Sequence, residues 1–162
     1  MTTSSTGQRS AAQVYQIFIK AGPEPIWAAI TQPEFSARYF YGSQVETSGE
    51  VGSPFRYHSP DGTALWGDET VLESDPPRRL VVTWRSLYDP ALADEPASRV
   101  TWQIDPQDGG FSLLTVTHDE LEAAPGTAAG VAGVGWMRVL SGLKTLLETG
   151  TGLADEDAGT GS

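Results

Sequence analysis

Two histidines, His58 and His118, and no cysteine make up the chain's supply of imidazole and thiol groups. A zinc site takes three or four such ligands, so no metal is expected, and neither disulfides nor thiolate chemistry can contribute. His118 closes the run Leu114-Thr115-Val116-Thr117-His118, and strand parity puts it on the face of Leu114 and Val116. An imidazole there has two readings: a hydrogen-bond donor or acid/base near neutral pH within a cavity, or a structural tie from the last strand to a turn or helix carbonyl. Asp119 and the serines offer parts of a hydrolytic triad. Adjacent strand residues face opposite sides, however, and no nucleophile-elbow sequence is present. No catalytic residue is therefore assigned, and His118 is the acid/base candidate only if the protein is an enzyme.

Binding chemistry is better supplied. Trp66, Trp84, Trp102 and Trp136 are many large aromatics for one domain, and side chains of this kind line cavities that take a ring or a hydrocarbon. A plain core uses them as well. Tyr41 and Tyr57 fall where the first strands of a meander approach a pocket mouth, and a phenolic hydroxyl there orients a polar ligand end. Leu140 shares a helix face with Trp136. These residues, with His118, form the candidate ligand-binding set. Gly130-Val131-Ala132-Gly133-Val134-Gly135 has the look of a phosphate loop, but it follows no strand and lacks the lysine or acidic residue of a nucleotide site. No cofactor is expected.

A chain of 162 residues is the usual size of one domain with a single core. Its net charge of −11 and scattered basic residues repel phosphate backbones and anionic membranes, which argues against nucleic acid as a partner. No apolar run reaches the roughly 18 residues of a spanning helix, and the first thirteen residues contain no apolar run. A cytoplasmic location without membrane insertion is the expectation. Absent asparagine and an excess of Arg over Lys suggest a GC-rich bacterial source.

These groups need elements to hold them. Residues 1–12 and 149–162 are rich in Ser, Thr, Gly and Asp and read as disordered tails, the second acidic, leaving residues 13–148 as the folded domain. Tyr15, Ile17 and Ile19 alternate as in a half-buried strand. Pro23 and Glu24, with the stripe Ile26, Trp27 and Ile30, start a short helix. Thr31-Gln32-Pro33-Glu34 repeats the start signal for a second helix over residues 33–37. Residues 39–118 then read as a meander of short strands. Leu80, Val82 and Trp84, like Val100, Trp102 and Ile104, mark its dry face, whereas residues 64–73 do not alternate cleanly. The connection between Arg85 and Ser98 is long and acidic, either a lid or a plain loop. Residues 127–148 form the longest helical segment, about 33 Å, with Trp136, Leu140, Leu143 and Leu147 on one face.

Several motifs carry a resemblance: Ile26-Trp27 with Thr31-Gln32-Pro33-Glu34, GSPFRY at residues 52–57, Asp61-Gly62, VLESDPPRRL at residues 71–80, Thr83-Trp84, LTVTHD at residues 114–119, and Gly135-Trp136. Together they span residues 14–147. In this order the chain resembles the START-like (SRPBCC) superfamily, in the branch related to the C-terminal domain of the Activator of Hsp90 ATPase homolog 1. The resemblance implies an α+β helix-grip (START-like, Bet v 1-like) fold. In that fold a curved antiparallel sheet of six to seven strands, with two short helices after strand 1, wraps a long C-terminal helix. It implies a cavity but no single activity, since the superfamily includes lipid carriers, aromatase/cyclases and co-chaperones. The leading expectation is a module binding a small hydrophobic or aromatic ligand. The alternatives are a chaperone or regulatory partner, or a cyclase-like enzyme using His118. An exposed edge strand is compatible with a homodimer.

Overall fold

The computed structural model describes residues 12–153; of the two tails expected at residues 1–12 and 149–162, residues 1–11 and 154–162 lie outside the described residues, and Thr149 is the last residue of the C-terminal helix. Strand β1 (Gln13–Ile19) alternates as its sequence demands, half-buried at Gln13, Tyr15 and Ile17. Gly22 and Pro23 start helix α1 (Pro23–Thr31), with Glu24 in the first turn and Ile26, Ala29 and Ile30 buried. Gln32 ends α1 and begins α2 (Pro33–Tyr39), which runs two residues past the expected end at Ala37. That extra half turn brings the Tyr39 hydroxyl to Ala29 O at 2.8 Å, locking the two helices together.

The meander begins at Gln44 rather than at Tyr39: β2 (Gln44–Thr47), β3 (Pro54–His58), β4 (Leu65–Asp75), β5 (Arg79–Trp84), β6 (Ser98–Pro106) and β7 (Ser112–Asp119). All neighbours are antiparallel, in the order β1-β7-β6-β5-β4-β3-β2, so β1 joins the last strand and the sheet has seven strands. Leu80, Val82, Val100, Trp102 and Ile104 are fully buried on the dry face. The opposite face is not wholly wet. Val81 is buried there, in a hollow lined also by Glu73, Arg79, Arg99 and Asp119. In β4 the inward residues are Gly67, Glu69 and Val71, and the register shifts between Val71 and Glu73. A glycine and a glutamate at inward positions are what broke the alternation.

The C-terminal segment packs across the sheet, but it is two helices. After helix α3 (Pro90–Ala93) in the β5–β6 connection come α4 (Pro125–Val131) and α5 (Val134–Thr149). The break is at Ala132 (ψ 145) and Gly133 (φ 60), the latter a left-handed backbone that glycine adopts freely. Its freed amide donates to the Tyr15 hydroxyl at 2.8 Å. Helix α5, 16 residues and so about 24 Å long, buries Trp136, Val139, Leu140, Leu143 and Leu146. Leu146, more than Leu147, completes its inner face. At Gly142 a Cβ would lie 3.2 Å from the Tyr39 Cβ, so the absent side chain lets α5 approach α2.

Candidate functional site: an aromatic cavity between sheet and helices

The dry face is not filled everywhere. A cavity of about 320 Å³ lies between the strands β3 to β5 and the α4–α5 segment, within the size of small-molecule sites. Tyr57, Trp66, Gly67, Glu69 and Trp84 form its sheet side, and Phe40, Tyr41 and Ser43 its flank after α2. Gly130, Val131, Gly135, Trp136 and Val139 close it from above.

Its walls are a connected set of rings. Phe40 stacks on Tyr57 with centroids 4.9 Å apart, Tyr57 lies 5.8 Å from Trp84, and Trp84 lies 5.7 Å from Trp136. Such contacts hold large rings in place around a space they do not fill. Small residues keep that space open: a Cβ on Gly67 would stand 3.1 Å from Tyr57 Cδ2 and 3.4 Å from Glu69 Oε2.

Of the expected residues, the fold brings Tyr41, Tyr57, Trp66, Trp84 and Trp136 together around the cavity. Trp102, His118 and Leu140 are on the right face but one layer deeper. Trp102 packs edge-on against Trp136 at 5.6 Å, and Leu140 is buried in the core behind the lining. His118 has no exposure. Its Nδ1 accepts from Trp136 Nε1 at 3.2 Å, which leaves Nε2 to donate to Ser98 Oγ at 2.7 Å, and Ser98 donates onward to Trp84 O at 3.2 Å. Burial holds the imidazole pKa down to about 4, so the ring is neutral at pH 7. His118 thus ties together the two tryptophans of the wall, from behind.

The acidic side chain of the lining is Glu69, only 3% exposed. Thr83 Oγ1 donates to its Oε1 at 2.7 Å and the Arg85 amide to its Oε2 at 2.8 Å. Burial pushes its pKa up, and these two hydrogen bonds, with the charge of Arg85, pull against that rise. It makes no ion pair within 4.0 Å among the described residues.

The β5–β6 connection overhangs one end. The Leu87 amide bonds to Trp66 O at 3.0 Å, and Tyr88 sets its ring edge-on to Trp66 at 6.3 Å, at the cavity rim. Asp89 caps α3 through the Ala91 amide. Glu95 then clamps the connection to the start of α4, accepting from the Gly126 amide, the Thr127 amide and the Thr127 hydroxyl at 2.7–2.8 Å. A Cβ on Gly126 would meet Leu92 Cδ2 at 2.6 Å and Glu95 Oε2 at 2.9 Å, so those side chains pack directly over the glycine.

The family model of the Activator of Hsp90 ATPase homolog 1-like protein matches residues 20–148. The chain belongs to that family. No curated protein matches the sequence. A protein from Mesorhizobium loti is 27% identical, with a TM-score of 0.68 over 85% of this chain and 97% of that one. The Aha1 dimer from Colwellia psychrerythraea has a TM-score of 0.69 at 20% identity, over 88% of this chain and all of that one. CalU16 from Micromonospora echinospora has a TM-score of 0.65 at 21% identity, over 93% of this chain and 82% of that one. The last two share the fold. Among the described residues no helix is long and apolar enough to cross a membrane, and no three His, Asp or Glu side chains converge as metal ligands would.

Sequence reasoning missed Gly67, Glu69 and Tyr88. For the first two a signal exists: counted back by twos from Val71, both fall on the apolar face.

Proposed function

We propose that this protein is a binding module that encloses a small apolar or aromatic molecule between its sheet and its C-terminal helices. The observation that carries the reading is the cavity of about 320 Å³ walled by Phe40, Tyr57, Trp66, Trp84 and Trp136. An empty space this size forfeits contacts that a filled core would make, and the absent side chain at Gly67 leaves room beside Tyr57 and Glu69. Organic extraction of the protein purified from its native host, followed by mass spectrometry, tests the reading. A stoichiometric organic molecule, with Trp84→Ala lowering its recovery, is expected. Protein that carries nothing and binds no aromatic probe in calorimetry contradicts it.

Catalysis by His118 is the weaker reading, because the ring is sealed behind Trp84 and Trp136 and neutral at pH 7. The family's name motivates one further reading, a chaperone partner at the surface. A pull-down from the native host that recovers no chaperone counts against it.

A further inference from the structure

The cavity is mostly apolar, and its one acidic side chain, Glu69, suits one kind of ligand atom. Glu69 is a carboxylate at a buried position, and a buried charge without a counterion is costly. Its two protein hydrogen bonds come from a neutral hydroxyl and a backbone amide, neither of which brings charge. Arg85, the cation of the lining, is exposed at the rim; its charge favours the ionised Glu69 from a distance, but the two form no ion pair within 4.0 Å. The Tyr57 hydroxyl, on the neighbouring strand, makes no hydrogen bond among the described residues although the residue is 5% exposed. Around these two groups stand the rings of Phe40, Trp66, Trp84 and Trp136. Aromatic rings close around a carboxylate are a setting that favours a cation, through the ring quadrupoles and a charge-assisted hydrogen bond. The chain's net charge of −11 enriches cations near the mouth.

Resting on the binding reading above, we infer that the ligand class is organic amines. A protonated nitrogen on an aromatic or hydrocarbon body would donate to Glu69 inside the aromatic walls, with the Tyr57 hydroxyl as a second polar contact. The amine supplies a positive charge in direct contact with Glu69, which Arg85 at the rim does not, and the body fills the apolar space.

Three probes of one shape separate this inference from the cavity reading: tryptamine, tryptophol with a neutral hydroxyl in place of the amine, and 3-ethylindole with neither. Calorimetry on the wild type at pH 7 is expected to give tryptamine about tenfold or more tighter binding than the other two. In E69Q that advantage shrinks toward unity while 3-ethylindole still binds. Equal affinities for tryptamine and tryptophol in the wild type, or an advantage that survives in E69Q, overturn the amine assignment and leave the cavity reading standing. Should E69Q fail to fold, the wild-type comparison alone decides. If none of the three binds, the cavity reading fails, and the amine assignment with it.

Discussion

Acidification should destabilise this protein through His118, well above the pH at which ordinary carboxylates protonate. In the fold, the ring's Nδ1 accepts from Trp136 Nε1, and its surroundings hold the pKa down to about 4. A proton on Nδ1 would turn that acceptor into a second donor facing the indole N–H, inside a site with no water access. In the unfolded chain the same imidazole titrates near 6.5. The unfolded state therefore takes the proton first, so the stabilisation is complete above pH 6.5 and is lost as pH falls from 6.5 toward 4. The gap between the two values corresponds to ~3 kcal/mol in all, of which ~2 kcal/mol falls between pH 7 and pH 5. Urea denaturation at pH 7, 6 and 5, on the wild type and on His118→Gln, reads it. The exposed His58–Glu46 pair is present in both proteins and cancels. The variant starts less stable, but the quantity of interest is the slope: the wild type should lose ~2 kcal/mol more than the variant over that range. Parallel pH profiles would refute a neutral, buried His118 tying Trp84 to Trp136.

Further outcomes follow from the same geometry. Gly67→Val places side-chain atoms where the cavity is, beside Tyr57 and Glu69, and should weaken binding of an indole probe on the order of tenfold or more while leaving a folded protein by circular dichroism. Glu95→Ala removes three hydrogen bonds to the start of α4; faster amide hydrogen exchange over residues 86–97, with β5 and β6 unchanged, is expected. Leu143→Ala empties a fully buried position on α5 and should destabilise by about 2–5 kcal/mol in urea titrations.

Much of the fold was legible because the periodicities are strong where one face is apolar and the other polar. Tyr15, Ile17 and Ile19 declare β1, Leu80 with Val82 and Val100 with Ile104 declare the dry sheet face, and Pro23 and Pro33 announce two helix starts. Parity also put His118 on the correct face. Parity reports a side, however, and not a depth. Trp102, His118 and Leu140 are on the same side as the cavity yet sit behind it, because Trp136 fills the space between. The break at Ala132-Gly133 escaped because glycine and alanine carry no apolar stripe whose phase could slip; only the Tyr15 hydroxyl meeting the Gly133 amide marks it. Glu69 escaped for the opposite reason. A charged residue on a strand is ordinarily solvated, and its inward position becomes visible only when Thr83 and the Arg85 amide are seen to converge on it.

The central claim is that the space between sheet and helices receives a ligand, and an indole titration followed by heteronuclear NMR tests it most directly. The account predicts saturable shifts concentrated on the indole N–H groups of Trp66, Trp84 and Trp136 and on the amides of Gly67, Glu69 and Gly135. Shifts that stay absent at saturation of the probe, or that scatter over the outer face of the sheet, would contradict it.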